Sequence, residues 1–540
     1  MGRFSRSSTK AFTMSGALPT AISELVMVPP PGACVRGPAP RPAALEGGAN
    51  DPWSRVPACP PTICGNWYEN PGTSLSAGTP EACARRMSGH RQRRVRDGGT
   101  VPPSPSEPGV IRSGGEEDDV RVGIIGAGIS GLVTAWLLDG HHEVLVLEER
   151  ERVGGNLRSV SVRLPAGELN VDLGVHSFSR GLFPAHTRLL ELLGLVGDHV
   201  AEVPMSLTLR RAGTSDPLLV TPHSRDADAP GRQVLGPAWE AVGAMLERGA
   251  KWREEGLSWG EPYASLVEPL PVPETIKRDV LYAWPAALFS CSLDQMREMS
   301  ARAVLEFYLE PAEPPPGEAV RWQNLRGGAE SLAWALAAGA KTTDVRTNAG
   351  PERLRRAGEG FELDDRAGGR HRVDHLVFAT PPDITRELLA QLAGTESLRE
   401  ALSAFTYAPI VVGAHTDASW MPPRREQWST DNVLVTEDAA VSTRWCGPAH
   451  GLRVFTTRLP AGPLPMRGVL AQSSFRQMRP TPAAMLARDR LTRFQGAGNV
   501  HLAGAYTQGV DSQENAVRSG IRAAADLVPA DSPRLTGLTA

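Results

Sequence analysis

The sequence predicts a mixed α/β fold with a Rossmann-type nucleotide-binding core that begins at Val120. A short apolar run, Val120–Gly126, leads through Gly126-Ala-Gly128-Ile-Ser-Gly131 into an apolar helical stretch, Ile129–Leu138. A second apolar strand, Glu143–Glu148, ends on an acid 22 residues after Gly126. Before Val120 the pattern is absent: 17 of the 47 prolines fall there, in stretches without helical or strand periodicity.

Each part of the opening unit has a physical reason. Gly126 permits the tight turn, Gly128 lets backbone approach a pyrophosphate, and Gly131 lets helix and strand pack closely. Ile129 and Ser130 open the helix, whose unpaired N–H groups and dipole favour a phosphate. Glu148, followed by Glu149, ends the second strand where a carboxylate accepts hydrogen bonds from ribose hydroxyls. Further helices are expected at Ala185–Leu193, Ala329–Ala338, Ile384–Leu392 and Glu514–Leu527. Strands are expected at Ser206–Arg210, His375–Ala379, Ile410–His415, Leu452–Thr456 and Val500–Ala503. No internal repeat is evident.

Composition bounds the function. With 540 residues, 41% hydrophobic, 22% charged and a net charge of −3, the chain reads as a globular enzyme without a nucleic-acid charge signature. No apolar run is long enough for a transmembrane helix. Six cysteines, four of them before Val120, are too few for a disulfide scaffold, so a cytoplasmic location is the expectation. Cys59 and Cys64 lack partners at zinc spacing, and no metal is expected. Residues 1–119 read as a disordered Pro/Gly-rich tail or as an over-extended translation start.

After Glu148 come Arg152-Val-Gly154-Gly155-Asn156-Leu-Arg158-Ser159 and Val171-Asp-Leu-Gly174-Val-His176. Near the end stand Val500-His-Leu-Ala503-Gly504-Ala505-Tyr506 and Glu514-Asn515-Ala516-Val-Arg-Ser-Gly520. In these motifs the sequence resembles the flavin-containing amine oxidase superfamily. Ala286–Phe289, Arg321-Trp322-Gln323, Gly327-Gly328, Phe378–Pro382 and His415-Thr-Asp417-Ala-Ser-Trp420-Met-Pro422, with Arg424, Arg425 and Trp428, are similar to one bacterial branch of it. That branch comprises predicted FAD/NAD-binding oxidoreductases often encoded beside cyclopropane-fatty-acid synthases. The resemblance covers about Val120 to Leu527.

The resemblance implies a non-covalent FAD held by Arg152, Gly154, Gly155 and Asn156, by Gly504 and Ala505, and by Glu514, Asn515 and Ala516, besides the opening glycines. It implies an FAD-binding domain in three parts, 120–200, 316–395 and 496–530, with an inserted α+β substrate domain at 201–315 and 396–495. Four positions depart from the pattern. Asn156 stands where an arginine is common, Ala505 where a carboxylate is common, and Gln513 where the branch tends to have histidine. Ile410 falls near the position of a lysine that reaches the flavin through water, and none of Lys10, Lys251, Lys277 or Lys341 lies there.

For catalysis the candidates are His176, as a substrate-positioning or acid/base group, and the pair His415 and Asp417. Each has a plainer reading: a structural histidine, and a strand-end turn closed by an Asx contact. Tyr506 and Gln508 are candidates to face the flavin, and Trp322 for a substrate wall or the core. The expected activity is a dehydrogenase or desaturase-like oxidoreductase that moves hydride from a small, mainly apolar substrate, such as a lipid or specialised metabolite, to flavin N5. A redox-neutral flavin isomerase and a non-catalytic flavoprotein partner are the alternatives. The electron acceptor is unassigned.

Overall fold

The computed structural model describes residues 120–539, apart from 166, 222–231, 310–320, 448–451 and 461. The expected tail and the expected boundary at 315/316 therefore lie outside the described residues. The labelled elements, in chain order, begin with β1 (Arg121–Ile125), α1 (Ile129–Leu138), β2 (Glu143–Leu147), β3 (Ser159–Leu164), β4 (Gly167–Asp172) and α2 (Pro184–Leu192). They continue with β5 (Leu207–Arg211), β6 (Pro217–Thr221), α3 (Arg232–Glu254), α4 (Glu330–Gly339), β7 (Asp344–Arg346), β8 (His375–Phe378) and α5 (Pro382–Leu389). The last are β9 (Thr406–His415), β10 (Asp431–Val435), β11 (Ala440–Trp445), β12 (Phe455–Pro460), β13 (Val469–Arg479), β14 (Val500–Leu502) and α6 (Gln513–Ala524).

Two sheets frame the site. The first is parallel throughout, in the order β7-β2-β1-β8-β14. Its central strands are near-continuous apolar runs because both faces are covered. All ten residues of α1 are buried. On one side α1 meets α6 so closely that a Cβ on Gly520 would stand 2.7 Å from the Ser130 carbonyl oxygen. The second sheet runs β13-β9-β12-β11-β10-β5-β6 and is antiparallel except where β10 pairs with β5. The hairpin of β3 and β4 packs Val162 and Val171 against Ile410, Val412 and Phe475 of that sheet.

Buried polar groups join these layers. Glu330, at the start of α4, is fully buried and takes Arg158 Nη1 at 3.1 Å and the Ser159 N–H at 3.1 Å. A buried guanidinium and carboxylate satisfy each other this way, and removing either would strand a charge. Asp172 closes the same corner, accepting from Ser159 Oγ at 2.6 Å and from the Ala329 N–H at 2.8 Å. Burial raises its carboxyl to about 6.

Most expected elements stand within a few residues of their places. The strand expected at Leu452–Thr456 instead occupies Phe455–Pro460, because its pairing with β9 begins at Phe455 opposite His415. The helix Arg232–Glu254, which carries Pro237 inside it, was not expected. Among the described residues, no helix is long and apolar enough to cross a membrane, and no group of three or more His, Cys, Asp or Glu side chains is arranged to hold a metal ion.

Candidate functional site

A cavity of ≈ 630 Å³ opens along the carboxyl ends of the parallel sheet. Open α/β sheets bind ligands at that edge. At one end stand Gly126, Gly128, Ile129 and Ser130, with Glu148 and Glu149 from the end of β2. Gly154, Gly155 and Asn156 form the middle, and Gly504, Ala505, Gln513 and Ala516 line the far part.

The three opening glycines have separable causes. Gly126 takes a φ of 101°, a conformation that strongly favours glycine. A Cβ on Gly131 would stand 2.0 Å from the Gly126 carbonyl oxygen, so this glycine serves the packing of α1 on its own turn. At Gly128 the nearest atom to an added Cβ is Gly155 Cα, 3.9 Å away. Nothing in the protein demands glycine at 128, and the open space belongs to the cavity. No side chain caps α1, whose first N–H groups are left for a ligand.

This cleft passes the test for a dinucleotide. An unfilled glycine cradle, an uncapped helix N-terminus and an acid at the end of β2 occur in the order that a pyrophosphate and its ribose require. Glu148 is 8% exposed, and each oxygen already takes one backbone donor: Ala127 N–H at 2.7 Å and Arg150 N–H at 3.0 Å. These bonds fix the carboxylate and leave acceptor positions on both oxygens.

Some expected residues stand elsewhere. Gly131 lies behind the turn. Arg152 reaches away to Glu330, with 3.4 Å between Nε and Oε1, and Arg150 and Arg366 line the cavity instead. Glu514 accepts from the Ala185 N–H at 3.2 Å and the His186 N–H at 2.9 Å, so it closes the N-terminus of α2. Asn515 donates to the Val510 carbonyl at 2.9 Å.

The other wall carries Thr380, from the Phe378–Pro382 motif, and residues that no motif announces, among them Gln391, Tyr407, Arg476 and Asp511. The Arg476 guanidinium lies 5.3 Å from the Tyr407 ring centre and pairs with Asp383. Asp511 accepts from the Met478 N–H at 2.9 Å, and burial pushes its carboxyl up to about 6. Gln513, one of the four departures, reaches from the cavity to within 3.4 Å of the His176 and Ser177 carbonyl oxygens.

The three catalytic candidates lie outside this lining. His176 follows Val175, a cavity residue, and its Nδ1 accepts from the Ser177 N–H at 2.7 Å. Burial, then Arg444 and Arg458, hold its imidazole well below the usual range, so it is neutral at pH 7. His415 is fully buried, with Nε2 2.7 Å from Thr457 Oγ1 and Nδ1 accepting from the Asp417 N–H at 3.2 Å. Asp417 takes the Arg467 N–H and the Ser419 N–H, both at 3.0 Å, which hold its carboxyl at about 2. That is the closed Asx turn. Tyr506 lines the far end, Ile410 is buried against Phe475, and Trp322 packs edge-on against Phe183.

The comparisons with known proteins agree with this geometry. The sequence matches the family described as flavin containing amine oxidoreductase over residues 129–442 and 463–528. The fold is similar to that of a CLA-producing fatty acid isomerase from P. acnes, at 13% identity and a TM-score of 0.54, covering 74% of this chain and 97% of that one. It is also similar to cyclohexylamine oxidase from Brevibacterium oxydans IH-35A, at 19% identity and a TM-score of 0.53, covering 78% of this chain and 100% of that one. No curated protein matches the sequence.

Proposed function

The chain belongs to the flavin-containing amine oxidoreductase family, and from that premise we propose that it binds FAD non-covalently and oxidises a small, mainly apolar substrate as a dehydrogenase or desaturase-like enzyme. When bound, the flavin supplies the two-electron chemistry, accepting hydride from a substrate carbon. The observation that carries the reading is the continuous cleft from Gly126 to Ala516, with its open space at Gly128.

The chain's own residues have distinct tasks. The N-terminus of α1 and the backbone of Gly128, Gly154 and Gly155 hold the pyrophosphate, and Glu148 holds the ribose. Gln513 and Ala516, in the first turn of α6, bring that helix's positive end toward the far part of the cleft, where a ring gaining negative charge is stabilised. The FAD-binding part consists of residues 120–200, 316–395 and 496–530, and the parts between them form the substrate side.

Lysine is absent from the cleft among the described residues. Lys277 pairs with Glu274 at 2.7 Å, and Lys251 is paired on the surface of α3. This argues against the simplest amine substrates. The test is to purify the chain, release its chromophore by denaturation and identify it, then mix the protein anaerobically with candidate substrates. FAD released intact and bleached by an apolar substrate is the expected result. Flavin attached to peptide, or product formed without flavin reduction, would overturn the corresponding part; the second outcome would favour an isomerase.

A further inference from the structure

Beside the cleft stand two arginines, of which only one has an acid to pair with among the described residues. Arg444 holds Asp431 through both oxygens, at 3.2 and 3.1 Å, and donates from Nη2 to Ser177 Oγ at 2.7 Å. Arg458, on β12, has no carboxylate within ion-pair distance among the described residues. Its Nη1 reaches only the Leu288 carbonyl at 3.2 Å and Gln477 Oε1 at 3.4 Å, and its Nε and Nη2 have no partner among those residues. The other nearby acid, Asp172, is committed to Ser159 and Ala329.

A half-buried guanidinium without a counterion is costly unless something else supplies the charge. Burial and the nearby Arg444 both lower the affinity of Arg458 for its proton, with Asp431 opposing them. His176 shares this field, and its Nε2 also lacks a partner among the described residues. The site is joined to the cleft through the Val175–Ser177 backbone, on which Gln513 lies.

We infer that Arg458, with Arg444 behind it and His176 beside it, is the recognition pole for a carboxylate carried by an otherwise apolar substrate. This deepens the proposed function and rests on it for the role of that substrate. The guanidinium fork matches a carboxylate with two parallel hydrogen bonds, which a neutral amide cannot reproduce. The neutral imidazole presents no competing charge.

The experiment titrates the flavin-loaded full chain calorimetrically with octanoate, decanoate and phenylacetate, and separately with the corresponding primary amides. At least one acid should bind about tenfold or more tighter than its amide, the ratio expected for a charge-assisted pair. Arg458→Gln should bring the two within about twofold, whereas Arg458→Lys keeps part of the preference. Equal binding of acid and amide across the series, no binding of any acid, or an unchanged preference in Arg458→Gln would overturn the inference. Flavin content, read from absorbance in the same samples, tests the cofactor reading separately. A loaded protein without carboxylate preference sinks only the recognition pole, and a chain that never holds flavin sinks the proposed function.

Discussion

Gly128 and Gly131 are three positions apart, yet substitution should fail in different ways at each. A valine at 131 would drive its Cβ into the Gly126 carbonyl oxygen, 2.0 Å away, so Gly131→Val should not fold. A valine at 128 meets no protein atom closer than 3.9 Å at its Cβ, so Gly128→Val should fold with a near-normal melting curve and lose its flavin. Circular dichroism melts beside flavin absorbance separate the two outcomes; flavin content undiminished in Gly128→Val would contradict the cradle. Asp511 carries a pH signature. Its carboxyl is raised by burial from 3.8 to about 6, so the folded state keeps a proton that the unfolded state releases. Wild-type stability therefore falls as pH rises from about 4 to about 6, then levels. Asp511→Asn keeps an oxygen for the Met478 N–H and escapes that loss. The melting temperature of the variant relative to wild type should rise across this window; a constant difference would show that Asp511 is not held protonated.

At the scale of elements, α2 depends on a residue from the other end of the chain. Glu514 satisfies two N–H groups at the start of α2, whose own cap residue, Phe183, offers no side-chain acceptor. Glu514→Ala should cost about 1–2 kcal/mol in denaturant unfolding, as lost helix caps do, while flavin content per folded molecule stays unchanged. Loss of flavin without loss of stability would return Glu514 to the cofactor. The sequence motif placed this glutamate correctly on α6 but could not show which neighbour it faces, because Ala185 lies more than 300 residues away. Elements with a strong local signal, such as β1, α1 and β2, were legible because one apolar period decides them. The helix Arg232–Glu254 was not, because Pro237 inside it is ordinarily a breaker.

At the scale of the whole molecule, the glycine-lined side of the cleft was readable because backbone approach to a phosphate leaves a fixed spacing. The opposite wall was not, because Tyr407, Arg476 and Asp511 come from separate segments and meet only when the β9–β13 edge reaches the parallel sheet. That wall bears directly on substrate choice. Ile410 packs with Phe475, Val171 and Leu173, so the position near which the resemblance puts a flavin-directed lysine is sealed in an apolar cluster. A lysine introduced there would tend to lose its proton or destabilise the sheet, and Ile410→Lys should not create amine oxidation. Nor does another described lysine line the cleft. The protein should therefore be slow toward primary amines, polyamines and amino acids in anaerobic stopped-flow measurements of flavin reduction, while an apolar substrate bleaches the same sample. Rapid reduction by a simple amine would show that hydride can leave an amine carbon here without a lysine-held water, and the argument from Ile410 would fall with it.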